Sequence, residues 1–169
     1  MLVSAPRRGT FVRSFTKKDI DDIFTFRLLI ENFGLEQGLA RMTDADLAGI
    51  TAHAEAMDLG AVAGDVEALV KHDLAFHQSI CNLSDNHQTQ HAFQNIEAEL
   101  QMLIIMAEKR FDTMEQAAAD HWPVVEAIAS RDLVRASAAL HDHIMDSWRR
   151  LAEAFDRPDG TLTHNLKQY

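Results

Sequence analysis

From Thr16 onward, apolar residues recur every three or four positions, the period of a helix with one buried face. Ile20, Ile23, Phe24 and Leu28 open the first run, and Leu35, Leu39 and Met42 continue it. Thr16 followed by Asp19 makes a capping box with Asp in the usual Glu place. Gly34 and Gly38 weaken this helix but permit close packing on one face. Thr43 or Asp44 caps a second helix ending near Gly60, and Gly60 to Gly64 reads as a loop. Asp65 opens a third helix, Val66 to about Leu83, which Ser84-Asp85-Asn86 breaks. A fourth runs from about His87 to Arg110 and a fifth from about Met114 to Ser130. Arg131-Asp132 makes the next turn. The sixth helix, Leu133–Phe155, carries Leu133, Leu140, Ile144, Leu151 and Phe155 along one stripe. Six or seven helices with short connections predict an all-α fold, an antiparallel bundle.

The first 13 residues follow another pattern. Leu2–Ala5 and Thr10–Arg13 are short β-prone runs around Pro6-Arg7-Arg8-Gly9, which is a hairpin signal. A lone hairpin is marginal in water, so this piece reads as the remnant of another unit. The expected organisation is a remnant over 1–13, a helical domain over 14–155 and a polar tail over 156–169.

Charge sharpens that division. The chain of 169 residues has a net charge of −10. Its first 18 residues hold Arg7, Arg8, Arg13, Lys17 and Lys18 and no acid, which leaves −15 on the remainder. The body should repel nucleic acid, and only the N-terminal segment is placed to touch phosphates. No apolar run reaches membrane-spanning length and no signal peptide is visible. The single cysteine, Cys81, excludes an intrachain disulfide and points to a reducing cytoplasm. It sits in an apolar stretch and reads as a buried structural thiol.

The candidate chemistry is carried by Asp73, His77, His121 and His143. Asp73 and His77 are four apart and share a helix face. His121 stands about ten residues before the turn at 131–132 and His143 about eleven after it. In an antiparallel hairpin rising roughly 1.5 Å per residue, they therefore lie at the same height. Ala117, Ala118, Ala139 and Ser147 lie about one turn from these two histidines and leave room for a cavity. One carboxylate and three imidazoles suit a divalent transition metal. The same residues also fit an exposed helix pair, Asp73 with His77, and two core histidines bonded to each other. His53, His72, His87, His91, His141 and His164 lack matching partners and read as surface or satisfied histidines.

With these residues in place, the chain resembles the all-helical FCD effector domain of GntR-type transcriptional regulators, FadR subgroup, from about residue 6 to 155. PRRGTFVR resembles the end of the family's winged helix-turn-helix, and DIDDIFTFRLLIE its first effector helix, with Arg27 and Glu31 at R-x-x-x-E spacing. LARMTDADL fits the junction to the second helix. DLAFH, residues 73–77, matches D-x-x-F-H, and DHWPVVEAIASRDLVRASAALHDHI resembles the family's C-terminal signature.

The resemblance implies a metal on Asp73, His77, His121 and His143: zinc first, with nickel or manganese as alternatives. It implies a small carboxylate metabolite as effector. An arginine inside the bundle could pair that carboxylate bidentately; Arg27 is the candidate or, equally, forms a salt bridge to Glu31 or lies on the surface. A homodimer is also implied, as is DNA binding only through a winged helix-turn-helix largely absent from these residues. Two positions depart from the pattern. Pro123 should kink the fifth helix or mark its real start. Trp122 stands where the family usually has Arg, either lining the pocket or filling space.

The expectation is a sensing module and not an enzyme. The competing function is a metal-dependent hydrolase or lyase on the same Asp/His₃ site. That chemistry needs a general base off the metal, for which Glu31, Glu97 and Glu99 are the candidates.

Overall fold

The computed structural model describes residues 2–5, 9–12, 15–108 and 113–155. Two strands, β1 (Leu2–Ala5) and β2 (Gly9–Val12), pair antiparallel with Val3 opposite Phe11. The expected residues Pro6 to Arg8, Arg13, Arg110, His164 and the whole tail lie outside the described residues.

Helix α1 (Lys17–Gly38) starts on the expected capping box. Thr16 accepts from the Asp19 amide, and Asp19 accepts from the Thr16 amide at 2.8 Å. The helix stops at Gly38, and a 3₁₀ turn, Leu39–Arg41, carries the chain to Met42. Thr43 and Asp46 repeat the same reciprocal cap on α2 (Asp44–Ala63). This helix runs three residues past the predicted end at Gly60 and terminates on Gly64, whose φ of 68° is the left-handed cap conformation. Gly60 stays helical because α3 passes close by: a Cβ there would lie 3.2 Å from the Leu69 nitrogen. Asp65 caps α3 (Val66–Asn82), and α4 spans His87–Glu108.

The predicted fifth helix is two helices, α5 (Met114–Ala119) and α6 (Trp122–Ala129). Pro123 explains the break. In the first turn of α6 its missing N–H leaves no intrahelical bond unmade, whereas in mid-helix it would. Helix α7 (Leu133–Phe155) closes the bundle. Its stripe begins one turn later than expected. Leu133 is 40% exposed, and Ala136 is the first buried position, followed by Leu140, Ile144 and Leu151.

The core lies between α1 and the helices around it. Helix α1 packs on α3, α4 and α7, α2 packs on α3, α5 and α6, and α6 folds back on α7. Phe24, Phe76, Phe93, Leu100 and Leu103 are buried at the centre, each contributing roughly 1.5–3 kcal/mol by leaving water. The α1–α3 contact is closest at the two glycines. A Cβ on Gly34 would sit 2.4 Å from the Ile80 carbonyl oxygen, and one on Gly38 would sit 2.1 Å from that of Leu83. Cys81 is fully buried beside this contact, and burial first, then the charge of Glu31, pushes its thiol well above the ordinary range. It is the structural thiol expected. Among the described residues no helix is long and apolar enough to cross a membrane.

Candidate metal centre

Asp73 and His77 sit inside the buried stripe of α3, which otherwise reads Leu69, Val70, Leu74, Phe76, Ile80 and Cys81. Polar groups in such a stripe have to be bonded or they destabilise the fold. His121 ends the turn between α5 and α6, and His143 comes from the middle of α7. The structure brings all four residues together. The Nε2 atoms of His77 and His143 are 3.2 Å apart, and Nε2 of His121 is 3.1 Å from Oδ1 of Asp73. One ligand atom from each histidine lies within 4.8 Å of the others. Phe76 walls the cluster, with its ring edge-on to His77 and to His121 at 5.1 Å.

Each imidazole is anchored through its other nitrogen. His77 Nδ1 donates to Glu31 Oε2 at 2.6 Å, His143 Nδ1 to the Asp120 carbonyl at 3.1 Å, and His121 Nδ1 to the Ala117 carbonyl at 3.2 Å. A carbonyl or an ionised carboxylate accepts only, so these contacts assign the proton to Nδ1 and leave the Nε2 lone pair facing inward. The consequence is an arrangement of acceptors aimed at acceptors: Nε2 against Nε2, and Nε2 against a carboxylate. Asp73 Oδ2, also buried, has no hydrogen-bond partner.

A divalent cation would satisfy all of these acceptors at once, whereas a proton on His121 Nε2 would satisfy only its contact with Asp73 Oδ1. Two nitrogens on one ion at about 2.1 Å stand about 3.0–3.4 Å apart for angles between octahedral and tetrahedral. The spacing of His77 and His143 falls in that range, so the donor set fits a divalent transition metal. Burial first, then the Arg27 charge, holds His77 well below the usual imidazole range, and burial followed by the neighbouring histidines does the same to His143. Both are therefore neutral, as a metal ligand must be. Burial alone would raise Asp73, but the His121 hydrogen bond and the nearby positive charges outweigh it and hold the carboxyl at about 2.

Glu31 is the residue whose role the sequence left open. Fully buried, it spans Arg27 Nε at 2.7 Å and His77 Nδ1 at 2.6 Å. Burial pushes its carboxyl up to about 7 against the opposing pull of Arg27. Arg27 thus forms the ion pair foreseen as one of its roles. It also lines a cavity of about 20 Å³ with Asp73, His121, His143 and Ser147, closed by Phe24, Leu103, Ile104, Ala117 and Leu151. Of the four small residues expected to leave room, Ala117 and Ser147 border the space, whereas Ala118 and Ala139 pack into the hydrophobic core.

The remaining residues sort differently. Trp122 points away from the cavity and donates to Asp58 Oδ2 at 2.9 Å, joining α6 to α2. Glu97 lines a separate outer groove between α3 and α4, and neither it nor Glu99 borders the cavity. His87, His91 and His141 are exposed as expected. His53 and His72 were expected to lack partners, yet their Nδ1 atoms meet at 3.2 Å where α2 packs on α3. Helices antiparallel in space bring these positions level, a relation the linear spacing does not display.

The FCD domain model matches residues 22–146. The gluconate operon transcriptional repressor of Bacillus subtilis (strain 168) is 21% identical over 150 residues, covering 86% of this chain and 62% of that protein. The chain therefore spans less than two thirds of that relative's length. Among solved structures, a GntR transcriptional regulator from Rhodococcus sp. RHA1 superposes with a TM-score of 0.76 at 17% identity, over 90% of this chain and 73% of the other. E. coli McbR/YncC gives 0.73 at 15% identity, over 90% and 77%. The chain belongs to the FCD-domain family of GntR-type transcriptional regulators. That family is one of regulators and not of enzymes, which sets aside the hydrolase or lyase alternative; both oxygens of Glu31, its best-placed base, are already engaged.

Proposed function

We propose that this chain is the metal-containing, effector-sensing and dimerising domain of a cytoplasmic bacterial transcriptional regulator. Asp73, His77, His121 and His143 would hold the ion, zinc before nickel or manganese. When bound, the ion supplies a Lewis-acid position for an anionic ligand. Arg27, fixed through Nε by Glu31, offers its terminal nitrogens to the carboxylate of a small metabolite. The observation that carries this reading is the convergence of three Nδ1-anchored imidazoles and one partnerless carboxylate oxygen beside that arginine.

Residues 1–13 would be the end of a winged helix-turn-helix that binds DNA, 14–155 the sensing domain and 156–169 a tail. Ligand binding would shift the placement of the helices, and α1 would pass that shift toward the DNA-binding unit. A homodimer is supported by Phe26, Leu29 and Phe33, which form an exposed apolar stripe at helical spacing on α1.

The test is elemental analysis of the chain purified without a metal-affinity tag, beside His143→Ala. About one metal per chain, lost in the variant, is the expected result. A wild type that takes up no zinc, nickel or manganese rejects the proposal.

A further inference from the structure

Two helices support the opposite ends of α1. Its C-terminal half rests on α3, where Gly34 and Gly38 bring the backbone against the carbonyls of Ile80 and Leu83. Its N-terminal half meets α7. There the indole of Trp148 donates from Nε1 to Asp21 Oδ1 at 2.7 Å, across 127 positions of sequence. Trp148 is half-buried against the core, so its N–H depends on such an acceptor, and a carboxylate puts the bond among the stronger ones.

The candidate metal ligands are divided between the same two helices. Asp73 and His77 belong to α3 and His143 to α7, and α3 meets α7 where the two Nε2 atoms face each other at 3.2 Å. Trp148 follows His143 by five residues on one continuous helix, and its neighbour Ser147 lines the cavity. An ion shared by His77 and His143 fixes the spacing of the two helices that support α1. Without a cation the facing acceptors repel, so α7 loosens from α3 at this level, and its indole carries Asp21 with it. Resting on the site reading above, we infer that Trp148 and Asp21 form the latch through which metal occupancy sets the position of the start of α1.

Hydrogen–deuterium exchange of the chain with and without zinc tests this. Zinc should slow amide exchange over residues 21–24 by about tenfold, the worth of one hydrogen bond to a charged group. Trp148→Phe keeps a ring and removes the donor; it should retain its zinc and lose that slowing. Asp21→Ala should lose it equally, and the double variant should lose no more than either alone. Trp122→Phe removes an indole–carboxylate bond of the same kind, to Asp58 on α2, and should keep the slowing. Slowing that persists in Trp148→Phe, or that Trp122→Phe abolishes as well, overturns the inference and leaves the site reading intact. So does a zinc-loaded wild type whose exchange at 21–24 is unaltered. A chain that takes up no zinc fails at the site reading instead, and the latch falls with it.

Discussion

Glu31 Oε2 lies 2.6 Å from Nδ1 of His77, although 46 positions separate the two residues. A carboxylate behind a metal-binding imidazole fixes the ring and raises its basicity. Glu31→Gln should therefore lower zinc affinity by about 10- to 100-fold, and it should also lower stability because Arg27 loses its buried partner, so affinity is compared on protein whose helix content is unchanged. Competition with a chromophoric chelator measures this, and an unchanged affinity would show that Glu31 serves only Arg27.

Arg27 and Glu31 form a buried ion pair with side chains 3% and 0% exposed. Removing one partner of such a pair costs about 3–5 kcal/mol, because the other is left charged and dry. Arg27→Met should then destabilise the domain in urea more than the double change Arg27→Met with Glu31→Gln. Equal or additive losses in a double-mutant cycle would contradict the coupling.

The metal-free domain should lose stability in mild acid. His77 and His143 are held well below their ordinary 6.5, while Glu31 is raised from 4.5 to about 7. Between pH 6.5 and 4.5 the unfolded chain takes up protons on both imidazoles that the folded chain refuses. Glu31 works the other way, since the folded state protonates it first. Two against one leaves stability falling as pH falls, by about 1.4 kcal/mol per pH unit. His53, lowered by burial and then by His72, adds in the same direction. Urea midpoints of chelator-treated protein at pH 7, 6 and 5 test the sign, which a flat or rising series would reverse.

The two glycines of α1 predict a steric contrast. Gly38→Ala puts a methyl group 2.1 Å from the Leu83 carbonyl oxygen, whereas Gly49 on α2 has nothing within 4 Å. Gly38→Ala should cost roughly 1–3 kcal/mol through overpacking, and Gly49→Ala should add about 0.4–1 kcal/mol. Thermal melts of both variants decide it, and similar melting temperatures would refute the close α1–α3 approach.

Leu29 is 66% exposed in the middle of the α1 stripe. Leu29→Glu should turn a dimer into a monomer in sedimentation velocity without loss of helix content. A wild type that sediments as a monomer removes the basis for this surface.

Much of this was legible in the sequence because it is local. Caps at Thr16 and Thr43 depend on residues three apart, and the level placement of His121 and His143 follows from a hairpin whose turn at Arg131 is audible in the chain. The Pro123 break was legible as one of two outcomes, and the first-turn position favours the one that loses no hydrogen bond. What escaped the sequence depends on neighbours in space. The Glu31–His77 bond and the His53–His72 contact arise between helices. The continuation of α2 through Gly60 to Gly64 depends on α3 passing beside it.

Helix α1 carries Arg27 and Glu31 on its buried side and Phe26, Leu29 and Phe33 on its outer side, over one uninterrupted rod of 22 residues. It is pinned hardest at Gly34 and Gly38, where backbone meets backbone, and its first turn lies about 25 Å from Gly34 at the usual rise. Such a rod is a lever with its fulcrum near one end. A tilt of about five degrees at Gly34 would swing the start of the helix by about 2 Å. A displacement too small to reorganise the cavity would therefore emerge, magnified, where the chain leaves the bundle.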